Sequence, residues 1–312
     1  MRRVDWAALG AVLARLKPFF AAEASLLTFV LIALLAARWS IFLRQQSVVI
    51  PFSKVLSLTW AGQFFNSVLP GSTGGDFVKI YQLCRMMPGK KGAATLTVII
   101  DRFSALVALA VLVAFAIAAG PARKLGAVGL SAGPIWFWIV AGMALGAVVG
   151  FIGRRMLRSL KWQTRWRSLL KLLRTSFTLN WNLAAAVTLA FVTHLVNFAL
   201  FFLFARALGI GISFYQTLLI MPVVLLLVML PVTINGHGLR EVLLIFFFTQ
   251  LQISLPGSSG IGIKETVIGL SVVGVTNDLL WSLPGGLWYL LRFRIPARQT
   301  ADLPPPGSVT RN

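Results

Sequence analysis

Acids are scarce in this chain. Its 312 residues hold 8 Asp+Glu against 29 Lys+Arg, with two histidines and a single cysteine. One cysteine cannot close an internal disulfide, no Cys/His spacing suggests zinc, and Cys84 reads as a small apolar filler. Charged residues make up only 12% of the sequence, about half of the roughly 25% usual in soluble domains. A soluble enzyme with so few charges has no means of covering its surface. Disorder is excluded too, because disordered chains are rich in charge and poor in apolar residues. There is no Walker A motif and no nucleophile elbow near His194 or His237, so neither ATP hydrolysis nor a Ser–His–Asp hydrolase is expected. The basic excess lies in short loops without an aromatic-plus-basic RNA motif, which argues against nucleic acid. No metal and no cofactor is implied.

What is present is apolar: 58% of residues belong to the hydrophobic set and the mean hydropathy is +0.85. The fold class expected is an all-α, polytopic helical membrane protein, since long runs fit helices and not short alternating strands. About 20 apolar residues cross a bilayer core. That ruler gives eight segments, near 18–37, 54–70, 93–119, 134–153, 182–206, 214–232, 239–252 and 266–291. Arg2, Arg3 and Ala22-Glu23-Ala24 imitate a signal peptide, yet the run continues from Ser25 to Ala37 as a retained helix would. With the N-terminus inside, 20 Lys and Arg fall on inside segments and five outside. The bias predicts that both termini are cytoplasmic.

The domain reading is a cytoplasmic segment 1–17, a transmembrane domain 18–292 and a disordered tail 293–312. Within the domain, 154–181 is a basic connector without acids. Its residues Trp162, Trp166, Leu169, Leu170, Leu173 and Phe177 share one helical face, so it should lie in the headgroup plane. It reads either as a topology anchor or as a recruiter of anionic lipid and partner enzymes.

Ionisable groups at bilayer depth cost at least ~2.5–3.5 kcal/mol each and need a reason. They cluster in three places. The first is Asn66 to Asp76, where Pro70 breaks a helix and Gly74-Gly75 permit unusual backbone. Free N–H groups there can cradle a phosphate, or the stretch is a plain turn. The second is Asp101-Arg102, a structural ion pair or a guanidinium facing a lipid phosphate. The third runs from Pro231 through Asn235, His237, Gly238 and Arg240 to Glu241. There the macrodipole favours an acid opening the next helix, and His237 can titrate. The first and third clusters resemble each other, which points to a duplicated unit with paired broken helices.

The strings Phe-Phe-Asn-Ser-Val-Leu-Pro-Gly-Ser-Thr-Gly-Gly-Asp76, Asp101-Arg102-Phe-Ser-Ala-Leu and Leu-Pro-Val-Thr-Ile-Asn-Gly-His-Gly-Leu-Arg-Glu241, in this order, resemble one family. It is the flippase-like family built on the transmembrane region of lysylphosphatidylglycerol synthases, and the likeness covers roughly residues 10–295. The resemblance implies an inner-membrane protein that moves a lipid between leaflets: aminoacyl-phosphatidylglycerol, a polyprenyl-linked sugar or a hopanoid. It assigns Asn66, Pro70, Gly74, Gly75, Asp76, Asp101, Arg102, Gly238, Arg240 and Glu241 to the family's motifs. Ser72 and His237 depart from the usual pattern. The soluble aminoacyl-transferring domain is missing from this sequence, so synthase activity is not expected of it.

The expected function is lipid translocation, with no enzyme activity and with anionic-headgroup lipids as partners. Two alternatives stand beside it. One is a membrane enzyme using Asp76, Asp101 or Glu241 as general base; the other is a structural partner of lipid-biosynthesis enzymes.

Overall fold

The computed structural model describes residues 6–69, 74–118, 181–228, 238–255 and 262–292. The helices there are α1 (Trp6–Ala14), α2 (Pro18–Gln45), α3 (Phe52–Val68), α4 (Gly74–Met86), α5 (Lys91–Ala118), α6 (Trp181–Ala207), α7 (Phe214–Val228), α8 (Leu239–Gln250) and α9 (Ile263–Arg292), with a 3-10 turn at Pro88–Lys90 before α5. Four stretches are long and apolar enough to cross a membrane: Pro18–Gln45, Pro88–Ala116, Trp181–Ala207 and Ile263–Arg292; Phe214–Val228 is a shorter apolar helix. The protein is a polytopic helical membrane protein.

Local chemistry sets the boundaries. Pro18 opens α2 at a position where its missing N–H costs nothing. Leu69 ends α3 in an extended conformation, ψ 143°, as the residue before a proline must. Gly238 starts α8 with φ +88°, a conformation that disfavours any side chain.

Side-chain contacts fix the direction of each helix. The Lys17 N–H donates to the Ala207 carbonyl at 2.8 Å, so the start of α2 meets the end of α6 at one face, here called the near face. At the far face Phe42 of α2 packs with Ala186 of α6. These two central helices are therefore antiparallel. Arg38 and Trp39 of α2 bond to Asp101 and Thr97 of α5, and Lys90 reaches the Ser47 carbonyl. Hence α5 starts at the far face and returns to the near one.

Between α2 and α5, α3 leaves the far face and α4 comes back to it. Gly75 packs on the backbone of Gly62, and the tip of this hairpin reaches Arg102, well inside α5. The two arms, about 26 Å and 20 Å long, form an antiparallel hairpin. A second hairpin, α7 and α8, enters from the near face. There Gly211, ahead of α7, bridges to Ser254, just after α8. From that face α9 crosses to the far one, where Trp288 lies under Lys54 at the start of α3.

The chain thus repeats one unit upside down: α2–α5 and α6–α9. The packing obeys the same relation. α3 lies on α9 as α7 lies on α5, and each hairpin helix meets its partner and its neighbours in matching pairs.

Several expectations change. The first segment, expected to end near 37, continues to Gln45 and carries Arg38 into the protein, because the run of α2 does not stop at one buried charge. Residues 71–92, expected as an inside loop, contain α4, which packs back along α3, the helix of segment 54–70. Residues 1–17 contain α1, with Val12 and Leu9 against Gly269 of α9. The beginning of α2 lies at the near face and the end of α9 at the far one. Segment 134–153, the basic connector up to residue 180, the tail from 293, and Pro70, Asn235 and His237 lie outside the described residues.

Candidate functional site

Asp101 is held by Arg38, with Nε to Oδ1 at 2.8 Å and Nη2 to Oδ2 at 3.2 Å. Arg38 also donates to Thr193 of α6 at 3.2 Å. The two charged side chains are 4% and 11% exposed, so this fork ties α2, α5 and α6 together in the core. Arg102 turns away from Asp101 and pairs through Nε with Asp76 Oδ2 at the start of α4. Lys79 stands over the Trp39 ring at 4.9 Å, giving the first unit three cations around two carboxylates.

The glycines of the first motif serve packing. A Cβ on Gly75 would overlap the Gly62 carbonyl, and one on Gly74 would stand 2.9 Å from the Phe65 oxygen. The N–H of Gly75 is already taken, donating to the Asn66 side chain at 2.7 Å. In the second hairpin the Gly238 N–H donates to Glu241 Oε2, a self-made cap. At Gly75 and Gly238 the expected anion cradle is closed by side chains from its own hairpin. Asp76, Asp101 and Glu241, the proposed general bases, are each engaged by a neighbour.

The open polar space lies elsewhere. A cavity of about 300 Å³ sits where the two hairpins approach each other. Its apolar wall includes Leu200, Phe201, Phe204, Met221, Leu225 and Leu244. Its polar lining is Ser67 from the first hairpin, Asn197 from α6, Arg240 from the second hairpin, and Ser271 and Asp278 from α9. The residues flanking both Pro/Gly interruptions therefore border one pocket. Of the twelve residues singled out from sequence, Arg240 lines it. Asn66, Gly74, Gly75, Asp76, Asp101 and Arg102 do not: Asp101 anchors the core through Arg38, and the others hold the first hairpin together or pin it to α5. Arg38, Lys79, Asn197 and Asp278 were not singled out. Asp278 had a readable signal, being the one acid inside the run 266–291, by the same rule that drew attention to Asp101. Arg38 was hidden by its position at the apparent end of a run.

Arg240 keeps capacity for a ligand. Its Nη2 is buried without a hydrogen-bond partner and is 3.6 Å from Glu241 Oε1. A guanidinium with an unused N–H, set in an apolar wall, suits phosphate oxygens.

The chain matches the Lysylphosphatidylglycerol synthase TM region family over residues 1–263 and belongs to that family. No curated protein and no solved structure matches it. The match stops at the start of α9, short of the 295 expected, so Ser271 and Asp278 belong to a stretch beyond it.

Proposed function

We propose that this membrane protein moves a lipid with an anionic or lipid-linked headgroup from one leaflet to the other without altering it chemically. Aminoacyl-phosphatidylglycerol, a polyprenyl-linked sugar and a hopanoid are the substrates under consideration. The observation that carries the reading is the cavity between two oppositely directed re-entrant hairpins, with the Arg240 guanidinium in its wall. Paired broken helices meeting near the middle of an inverted repeat are the usual construction of a membrane transport site. In this reading Arg240, Asn197 and Ser67 hold the headgroup while the acyl chains stay in the surrounding hydrocarbon.

The far face is the cytoplasmic one. Arg44, Lys54, Arg85, Lys90, Lys91 and Arg292 lie toward it, against Arg15, Lys17, Arg206 and Lys264 toward the near face. The eight basic residues between 154 and 180 precede α6, which begins at the far face. This reverses the N-inside expectation, because the first hairpin does not cross. The membrane is that of a bacterial cell, and enzymes of lipid synthesis are candidate partners.

The test is reconstitution into vesicles carrying fluorescent phosphatidylglycerol, aminoacyl-phosphatidylglycerol or polyprenyl-phosphate analogues, followed by quenching of the outer leaflet. Arg240→Ala should slow movement of the accepted lipid about tenfold or more, the equivalent of one charge-assisted hydrogen bond. Wild-type vesicles that move none of these lipids, or that return a lipid of changed mass, would refute the proposal.

A further inference from the structure

The two units carry charge pairs in corresponding places, with the signs exchanged. In the first, an acid at the start of α4, Asp76, meets a cation on the next long helix, Arg102. In the second, a cation at the start of α8, Arg240, lines the same cavity as an acid on the next long helix, Asp278. The first pair is closed. The second is not: among the described residues Asp278 has no ion pair within 4.0 Å and no hydrogen bond, and both groups line the cavity.

The ordinary explanations for an acid in a spanning helix do not apply to Asp278. It lies near the middle of the 30-residue α9, about 22 Å from either end, too far from the N-terminus for macrodipole stabilisation. It closes no structural ion pair, and it braces no neighbouring helix as Asp101 does. Asn277 beside it fills that role, donating to Thr28 of α2 at 2.9 Å. Instead the Asp278 side chain is exposed into the cavity. Among the described lining residues Arg240 is the only other charged group. α3 contributes Ser67, α6 contributes Asn197 and α7 only apolar side chains, while Glu241 of α8 is turned to the Gly238 N–H.

We propose that Asp278 is a proton-binding site: its carboxyl group takes a proton from the side to which the cavity opens and releases it to the other, coupling lipid movement to a proton gradient. A carboxyl group crosses an apolar wall as the neutral acid and faces water, or the Arg240 guanidinium, as the anion. Acids that face an internal cavity at bilayer depth are the groups proton-coupled transporters use. The proton leaves as it arrived and no other reactant is needed. The inference rests on the transport reading above.

The experiment uses the full chain in phosphatidylcholine–phosphatidylglycerol vesicles with a fluorescent phosphatidylglycerol probe and trapped pyranine. Lipid movement and internal pH are followed with and without a gradient of one pH unit. For the wild type, the gradient should raise the ratio of forward to reverse movement toward about tenfold, the limit for one proton per lipid, with acid entering as lipid moves. In Asp278→Asn that ratio should fall to one and the proton signal should vanish, while Asp278→Glu restores both. Asp278→Ser, read the same way, covers a misfolded Asn variant. A wild type that moves the probe equally with and without the gradient, or an Asn or Ser variant that keeps the wild-type ratio, overturns the proposal and leaves the transport reading standing. A wild type that moves neither this probe nor the aminoacyl-phosphatidylglycerol and polyprenyl-phosphate analogues defeats both.

Discussion

Asp101 pairs with Arg38, 63 positions away, and not with its own neighbour Arg102. Successive helical residues point about 100° apart. Asp101 therefore looks inward to α2, while Arg102 looks toward the tip of the first hairpin. Two adjacent charges in one apolar run thus belong to two separate devices, one anchoring the core and one pinning a hairpin.

The core pair carries the first prediction. Arg38→Ala or Asp101→Ala leaves an uncompensated buried charge and should cost about 3–5 kcal/mol. The double variant Arg38→Met/Asp101→Leu should lose less than either single one. Thermal unfolding in detergent measures all three. A single variant melting with the wild type would show the fork to be dispensable.

Gly75 and Gly238 should respond differently to alanine. At Gly75 the new methyl group overlaps the Gly62 backbone, so α3 and α4 must separate, at about 1–3 kcal/mol or more. At Gly238 there is open space, and only the backbone, at φ 88° and ψ −56°, resists, at about 1–3 kcal/mol. If Gly238→Ala proves the more damaging in the same unfolding assay, the close approach of the first hairpin is misread.

Cysteine labelling tests the hairpins. In a Cys84→Ser background, Ser47→Cys and Lys90→Cys should react with a membrane-impermeant maleimide from the same side of the membrane. Ser213→Cys should react only from the opposite side. Labelling of positions 47 and 90 from different sides would make 52–86 a full crossing.

Asn66 supplies a cap, and Asn66→Ala should cost about 0.5–2 kcal/mol, with lipid movement falling only as far as folded protein does. Transport abolished in a variant of unchanged melting temperature would return Asn66 to direct contact with the headgroup.

The four spans were legible in the sequence because an uninterrupted apolar run of this length has few alternatives to crossing. The end of α3 at Leu69 was legible too, since the residue before a proline disfavours the helical conformation. Helix α4 was not, because Asp76, Lys79, Gln82 and Arg85 make it as polar as a loop. Its order comes from Gly62, Gly75 and the Arg102 pair, contacts distant in sequence. In the transport reading proposed above, the returning α4 takes one crossing away from the expected count and with it exchanges the expected sides. The candidate site was legible as a region and misassigned in detail. The Gly-rich strings marked the hairpin tips, but the residues bordering the cavity, apart from Arg240, come from helices α3, α6, α7, α8 and α9, whose convergence no single stretch records.

The exchange of hairpins between the units has a mechanical consequence. α3 leans on α9 and α7 leans on α5, so each short arm rests on the long helix of the other half. In the transport proposed above, tilting either half would widen the passage at one surface while narrowing it at the other, as the two pans of a balance move, with no need of a hinged door.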